Sequence, residues 1–233
     1  MKVLEHTLSP GAEKAFAEIS GTLKKPLVMR AVDRNHPASY GYTVEDRGVH
    51  VVHVQPALPA AAFEEALIHE LLHCQQREAG DVGLVPRRQG DHLAMLLAST
   101  INSVVNDRAV EARLRALELK SGLVEAVRMS STREALAFPV PDHLRDVFAL
   151  FSAFDLVLHR VTGADPAFLE EVTEAYAALD DRVVPNADAI VAIIEANGSD
   201  TPAQRACSIR AIVEHIGWQG RFMLVVDGQA EEL

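Results

Sequence analysis

Two histidines four residues apart, His69 and His73 in Ala66-Leu-Ile-His-Glu-Leu-Leu-His73, are the residues with the clearest chemical potential in this chain. On a helix, imidazoles at that spacing rise from the same face one turn apart, as two ligands of one tetrahedral metal ion must. A single zinc ion could be held there. Glu70 points roughly 100° around the helix axis from His69. It cannot easily join the same metal, but it can sit beside a water activated by the metal and act as its general base. The alternative is an ordinary core helix with two satisfied histidines and a surface glutamate. Against it, Phe63, Leu67, Ile68, Leu71, Leu72 and Cys74 encircle most of the segment. A helix apolar nearly all round belongs in a core, where two imidazoles and a carboxylate are costly unless hydrogen-bonded or metal-bound.

The His-Glu-x-x-His segment resembles the active-site helix of the zincin metallopeptidases. A zincin also needs a third ligand, and the long helical pattern from Asp91 to about Lys120 offers one. There Leu93, Leu96, Leu97, Thr100, Val104, Asp107, Glu111 and Leu114 fall within roughly 60° of one direction at ~100° per residue. Two carboxylates therefore stand in an apolar stripe, where acids are rarely found unless paired or metal-bound. An ion pair with an arginine would explain them blandly. The stretch Asn106-Asp-Arg-Ala-Val-Glu-Ala112 resembles the gluzincins, whose third ligand is a glutamate on a following helix. This resemblance implies Glu111 as ligand, with Asp107 accepting a hydrogen bond from the outer ring nitrogen of His69 or His73. The two roles could be exchanged, since familiar gluzincins carry the ligand first and the supporting acid four residues later. His92 is a further candidate ligand.

The elements that must position these residues can be read around them. Ser9-Pro10 reads as a cap and first residue of a helix ending at Gly21. Residues 26–32 read as a strand and Asp33 to Ser39 as a loop. Two further strands, Gly41 to Glu45 and Val49 to Val54, flank the turn Asp46-Arg-Gly48. Pro59 opens the His69/His73 helix, Gly80 ends it, and Asp81 to Gly90 reads as a solvated loop. Beyond Phe138-Pro-Val-Pro141 the pattern is helical over 142–161, 166–179, 187–195 and 201–217, with Asp142, Asp165 and Thr201 as plausible caps, and Arg221 to Asp227 reads as a late strand or a buried tail. The expected fold is α+β and predominantly helical. It comprises a small zincin-like core over 1–138 (helix, short three-stranded sheet, His-Glu-x-x-His helix, long ligand-bearing helix) and a helical region over 139–233 packed against it. In a zincin the sheet edge beside the metal receives an extended substrate backbone. His143, His159 and Tyr176 could reach the metal as electrophiles, and Tyr40 and Tyr42 lie near the substrate strand; structural roles are the simpler reading for each.

Composition narrows the function classes. With 233 residues and 48% hydrophobic content the chain can build a real core. A net charge of -11 argues against a nucleic-acid or anionic-membrane partner. The N-terminal residues carry no secretory signal pattern, no apolar run reaches membrane-spanning length, and Cys74 and Cys207 are too few for a disulfide framework. These features lead to a cytoplasmic zinc-dependent hydrolase, a metallopeptidase acting on a peptide or protein, with Glu70 as base. The rival is a non-catalytic regulatory or partner-binding protein on the same core, its metal or polar cluster purely structural.

Overall fold

A computed structural model describes residues 1–32 and 40–233; the loop expected at Asp33 to Ser39 lies outside the described residues. A short ribbon, β1 (Lys2–Val3) and β2 (His6–Thr7), precedes α1 (Pro10–Thr22). Then come β3 (Leu27–Ala31), β4 (Gly41–Asp46), β5 (Val49–Val54) and α2 (Ala60–Ala79). β6 (Val82–Pro86) leads to α3 (His92–Ala116) and α4 (Leu123–Leu136). A 3-10 turn at Asp142–Leu144 opens a run of helices, α5 (Arg145–Thr162), α6 (Pro166–Leu179), α7 (Val183–Asn197) and α8 (Pro202–His215), followed by β7 (Phe222–Val226) and β8 (Gln229–Glu232). The fold is α+β and predominantly helical, as the patterning implies. Among the described residues no helix is long and apolar enough to cross a membrane.

The chain gathers into two compact units that interleave in sequence: Met1–Ala79 with Val110–Ala126, and Gly80–Ala109 with Val127–Leu233. The sequence reading instead draws a single division between 138 and 139. Interleaving follows from α3, an unbroken helix whose Ala94, Leu97, Ile101 and Val105 belong to one core and whose Val110 and Leu114 belong to the other.

In the first unit, Ser9 caps α1 by accepting from the Ala12 amide at 3.3 Å, and Glu64 accepts the Ser9 hydroxyl hydrogen at 2.8 Å. The sheet order is β3-β5-β4, with β3 parallel and β4 antiparallel to β5. Arg47 (φ 50°) and Gly48 (φ 78°) make the two-residue turn between β4 and β5. Two positive φ values match the right-handed twist of a hairpin. Val52 and Val54 of β5, Ala12 and Ile19 of α1, and Phe63, Leu67, Ile68 and Leu71 of α2 are buried together. α2 is thus held from two sides, which fixes where its histidines stand.

The second unit corrects two expectations. The solvated loop expected over Asp81 to Gly90 contains a strand, β6, whose Val82 and Leu84 are buried and which pairs antiparallel with β7. Its partner lies some 140 residues further on, so local composition could not reveal it. Asp142 does not cap a helix; it starts the 3-10 turn and pairs with Arg145 at 3.1 Å. Asp165 and Thr201 do cap α6 and α8, the latter with a full capping box through Gln204.

Candidate metal centre

The two imidazoles of α2 meet with their Nε2 atoms 3.0 Å apart and ring planes at 72°. Their outer nitrogens are both engaged. Nδ1 of His73 lies 2.9 Å from Oε1 of Gln76, and an amide oxygen can only accept, so Nδ1 carries the hydrogen. Nδ1 of His69 lies 3.4 Å from Oε1 of Glu111. Burial would raise the pKa of Glu111, but hydrogen bonds from His69 and Lys120 outweigh it and bring it down to about 2. Glu111 is therefore an acceptor too. The two Nε2 atoms face one another across 3.0 Å, where a shared proton or a cation would hold them. In a tetrahedral zinc site with Zn–N of 2.0–2.1 Å the two nitrogens stand roughly 3.3 Å apart, close to the separation seen.

Asp107 supplies the third donor. One of its carboxylate oxygens and a ring nitrogen from each of His69 and His73 all lie within 4.8 Å of one another. It stands on α3 one turn before Glu111, on the same unbroken helix. Glu111, only 2% exposed, lies against the outer nitrogen of His69. Glu111 is held in that place by Lys120, which pairs with its other oxygen. His92 takes no part in the cluster. It opens α3, exposed, fifteen residues from Asp107, or roughly 22 Å along the axis at 1.5 Å per residue. The expected stripe on α3 also shifts: Leu96 is exposed, and Ala94, Ala98 and Ile101 are buried instead.

The surroundings add residues that spacing alone did not single out. After α3, Glu118 adopts φ 57° and the chain turns back, bringing Lys120 over α2. Lys120 bridges Glu111 and Glu65, at 3.2 Å from the latter, and the Ser121 amide donates to Glu65 at 2.9 Å. Two buried carboxylates share one cation. Glu65 lies four residues before His69 and Gln76 three after His73, so helical spacing was the signal available for both. Lys120 had no such signal.

Glu70 is 8% exposed and packs against β4. A Cβ at Gly41 would lie 2.8 Å from the His53 carbonyl oxygen and 3.1 Å from Cγ of Glu70, so only glycine lets the strand pass this close. Among the described residues β4 is an edge strand of its sheet. Tyr42 on β4 stacks on His53 with ring centroids 4.3 Å apart. His143 is exposed, whereas His159 and Tyr176 are buried around Asp155. Cys74 is a packed thiol touching Thr43 at 3.2 Å, its pKa raised by burial.

Chemically, two imidazoles and a carboxylate, with a base on the same helix, suit a borderline-soft divalent metal such as zinc. Comparison with protein-family models, curated proteins and solved structures gave no match.

Proposed function

We propose that the chain is a zinc-dependent hydrolase, a zincin-like metallopeptidase with a gluzincin-like order of donors. His69, His73 and Asp107 would hold the metal, Glu111 and Gln76 would orient the two rings, and Glu70 is the general base. The observation that carries this reading is the convergence of the two Nε2 atoms, 3.0 Å apart, with an Asp107 oxygen within 4.8 Å of the cluster and both outer nitrogens engaged. When bound, zinc supplies a lowered pKa for a water and polarisation of a carbonyl oxygen. Glu70 takes the water's proton and passes it to the leaving amine. The edge strand β4, beside Glu70, pairs with the backbone of an extended peptide or protein substrate. Three protein donors leave a position open for chemistry, and a structural site has no use for a base beside it; both points favour the enzyme over a partner-binding module. The net charge of -11 and two free cysteines support a cytoplasmic protein that does not bind nucleic acid.

Glu70→Gln tests the catalytic part. The variant should bind zinc as the wild type does and lose cleavage of a broad peptide library by roughly a hundredfold or more. Cleavage at the wild-type rate would remove Glu70 as the base. A wild-type protein that binds zinc and cleaves nothing in the library would favour the non-catalytic rival.

A further inference from the structure

The second unit contains a cavity of about 380 Å³ whose wall includes three phenylalanines, Phe148, Phe151 and Phe154, together with Asp155. That volume lies at the lower end of the range for small-molecule sites, roughly 300–1,000 Å³. Asp155 is held from behind. Its Oδ2 accepts from the Tyr176 hydroxyl at 2.8 Å and from the Thr132 hydroxyl at 3.0 Å, and Nε2 of His159 lies 3.4 Å away. His159 and Thr132 are themselves joined at 2.9 Å. Thr132, Tyr176 and His159 are buried, yet the Asp155 side chain is 32% exposed. Asp155 itself lines the cavity, and the three partners engage only its Oδ2. Although burial opposes ionisation, the same partners keep the carboxyl below its usual range, so it is charged.

The cluster is not a catalytic triad. The Thr132 hydroxyl already donates to the carboxylate, and the same ring nitrogen of His159 faces both residues. No base is left to make Thr132 a nucleophile. What remains is a fixed anion at the wall of a cavity lined by phenylalanines, an arrangement that attracts a cation by charge and its apolar body by burial. Arg128 also lines the cavity and remains a cation, one of its N–H groups donating to the Thr162 hydroxyl at 3.0 Å, so a phenylacetate control also tests whether its charge or that of Asp155 governs the site.

We propose that this cavity binds a small organic ammonium compound, its cationic nitrogen on Oδ1 of Asp155 and its apolar body against the phenylalanine rings. The site is independent of the metal-centre reading and stands or falls without it. Calorimetric titration of the full chain, treated with chelator, uses phenethylammonium as probe and phenylacetate as the opposite-charge control. Phenethylammonium should bind in the millimolar range or tighter, and phenylacetate at least roughly tenfold more weakly. Asp155→Asn should weaken the amine by roughly tenfold or more. Ala135→Trp places a large ring at an exposed position of the cavity wall, away from the buried partners of Asp155, and should abolish binding while the circular dichroism spectrum stays unchanged. If Asp155→Asn does not fold, Ala135→Trp decides. No heat from the amine at several millimolar, equal binding of phenylacetate, or wild-type binding by a folded variant would each overturn the proposal.

Discussion

Lys120→Met removes the one cation that Glu111 and Glu65 share, and its consequence can be worked from the structure. The two carboxylates are 2% and 3% exposed in their side chains, and Lys120 itself is 17% exposed. Breaking a buried pair by removing one partner costs about 3–5 kcal/mol, since a charge is left buried and uncompensated. Glu65 keeps its bonds from Ser121, and Glu111 keeps His69, so about 3 kcal/mol is the expected cost. For a chain of this length that lowers the unfolding midpoint by roughly 6–12 °C. The pH dependence has a definite sign. In the wild type the folded pKa of Glu111 lies near 2, below its unfolded value of 4.5. Its contribution to stability is therefore present above pH 4.5 and is lost as the pH falls toward 2. In the variant, burial without the ammonium raises the folded pKa of Glu111 relative to the wild type, so the deficit is largest at neutral pH and shrinks as the pH falls toward 5. Thermal unfolding of metal-free protein at pH 7 and pH 5, followed by circular dichroism, measures both effects. A midpoint unchanged at pH 7, or a deficit of the same size at both pH values, would refute the claim that these carboxylates are buried around a single cation.

Further outcomes follow from individual contacts. Gln76→Leu removes the acceptor on Nδ1 of His73 and should weaken zinc binding by roughly 10–100-fold, measured by competition with a chromophoric chelator, while metal-free stability changes little. Gly41→Ala puts a methyl group 2.8 Å from the His53 carbonyl oxygen and 3.1 Å from Cγ of Glu70. It should cost roughly 1–3 kcal/mol and reduce peptide hydrolysis with zinc content unchanged, which separates the β4–Glu70 contact from the metal ligands. Tyr176→Phe deletes a hydrogen bond to a charged carboxylate and should lower stability by roughly 1.5–3 kcal/mol in urea titration.

What could be read in advance divides by range along the chain. The spacing of His69, Glu70 and His73 is a property of one helix, and so are the Ser9, Asp165 and Thr201 caps; each depends on residues within a turn or two. The hairpin at Arg47-Gly48 was legible for the same reason. Asp107 and Glu111 stand out as acids on an apolar helix, but the placing of Glu111 against the outer nitrogen of His69 depends on Lys120 returning to hold it. No periodicity carries that information. β6 reads as a loop in sequence because its pairing partner β7 lies far along the chain, and Asp142 reads as a cap because the composition of a helix start and of a 3-10 turn is alike. The polar cluster of Thr132, Asp155, His159 and Tyr176 joins three helices, α4, α5 and α6. Only His159 and Tyr176 of the four attracted notice in sequence, and for a different role.

Metal content tests the central claim most directly. Protein expressed in zinc-containing medium, purified without chelator or added metal and dialysed, should retain close to one zinc per chain by plasma mass spectrometry. His69→Ala and His73→Ala should each retain less than a tenth of that, and Asp107→Ala should show a clear loss, whereas His92→Ala matches the wild type. A wild-type chain that holds no zinc, and takes none up at micromolar free metal, would contradict the account; so would histidine variants that keep their zinc.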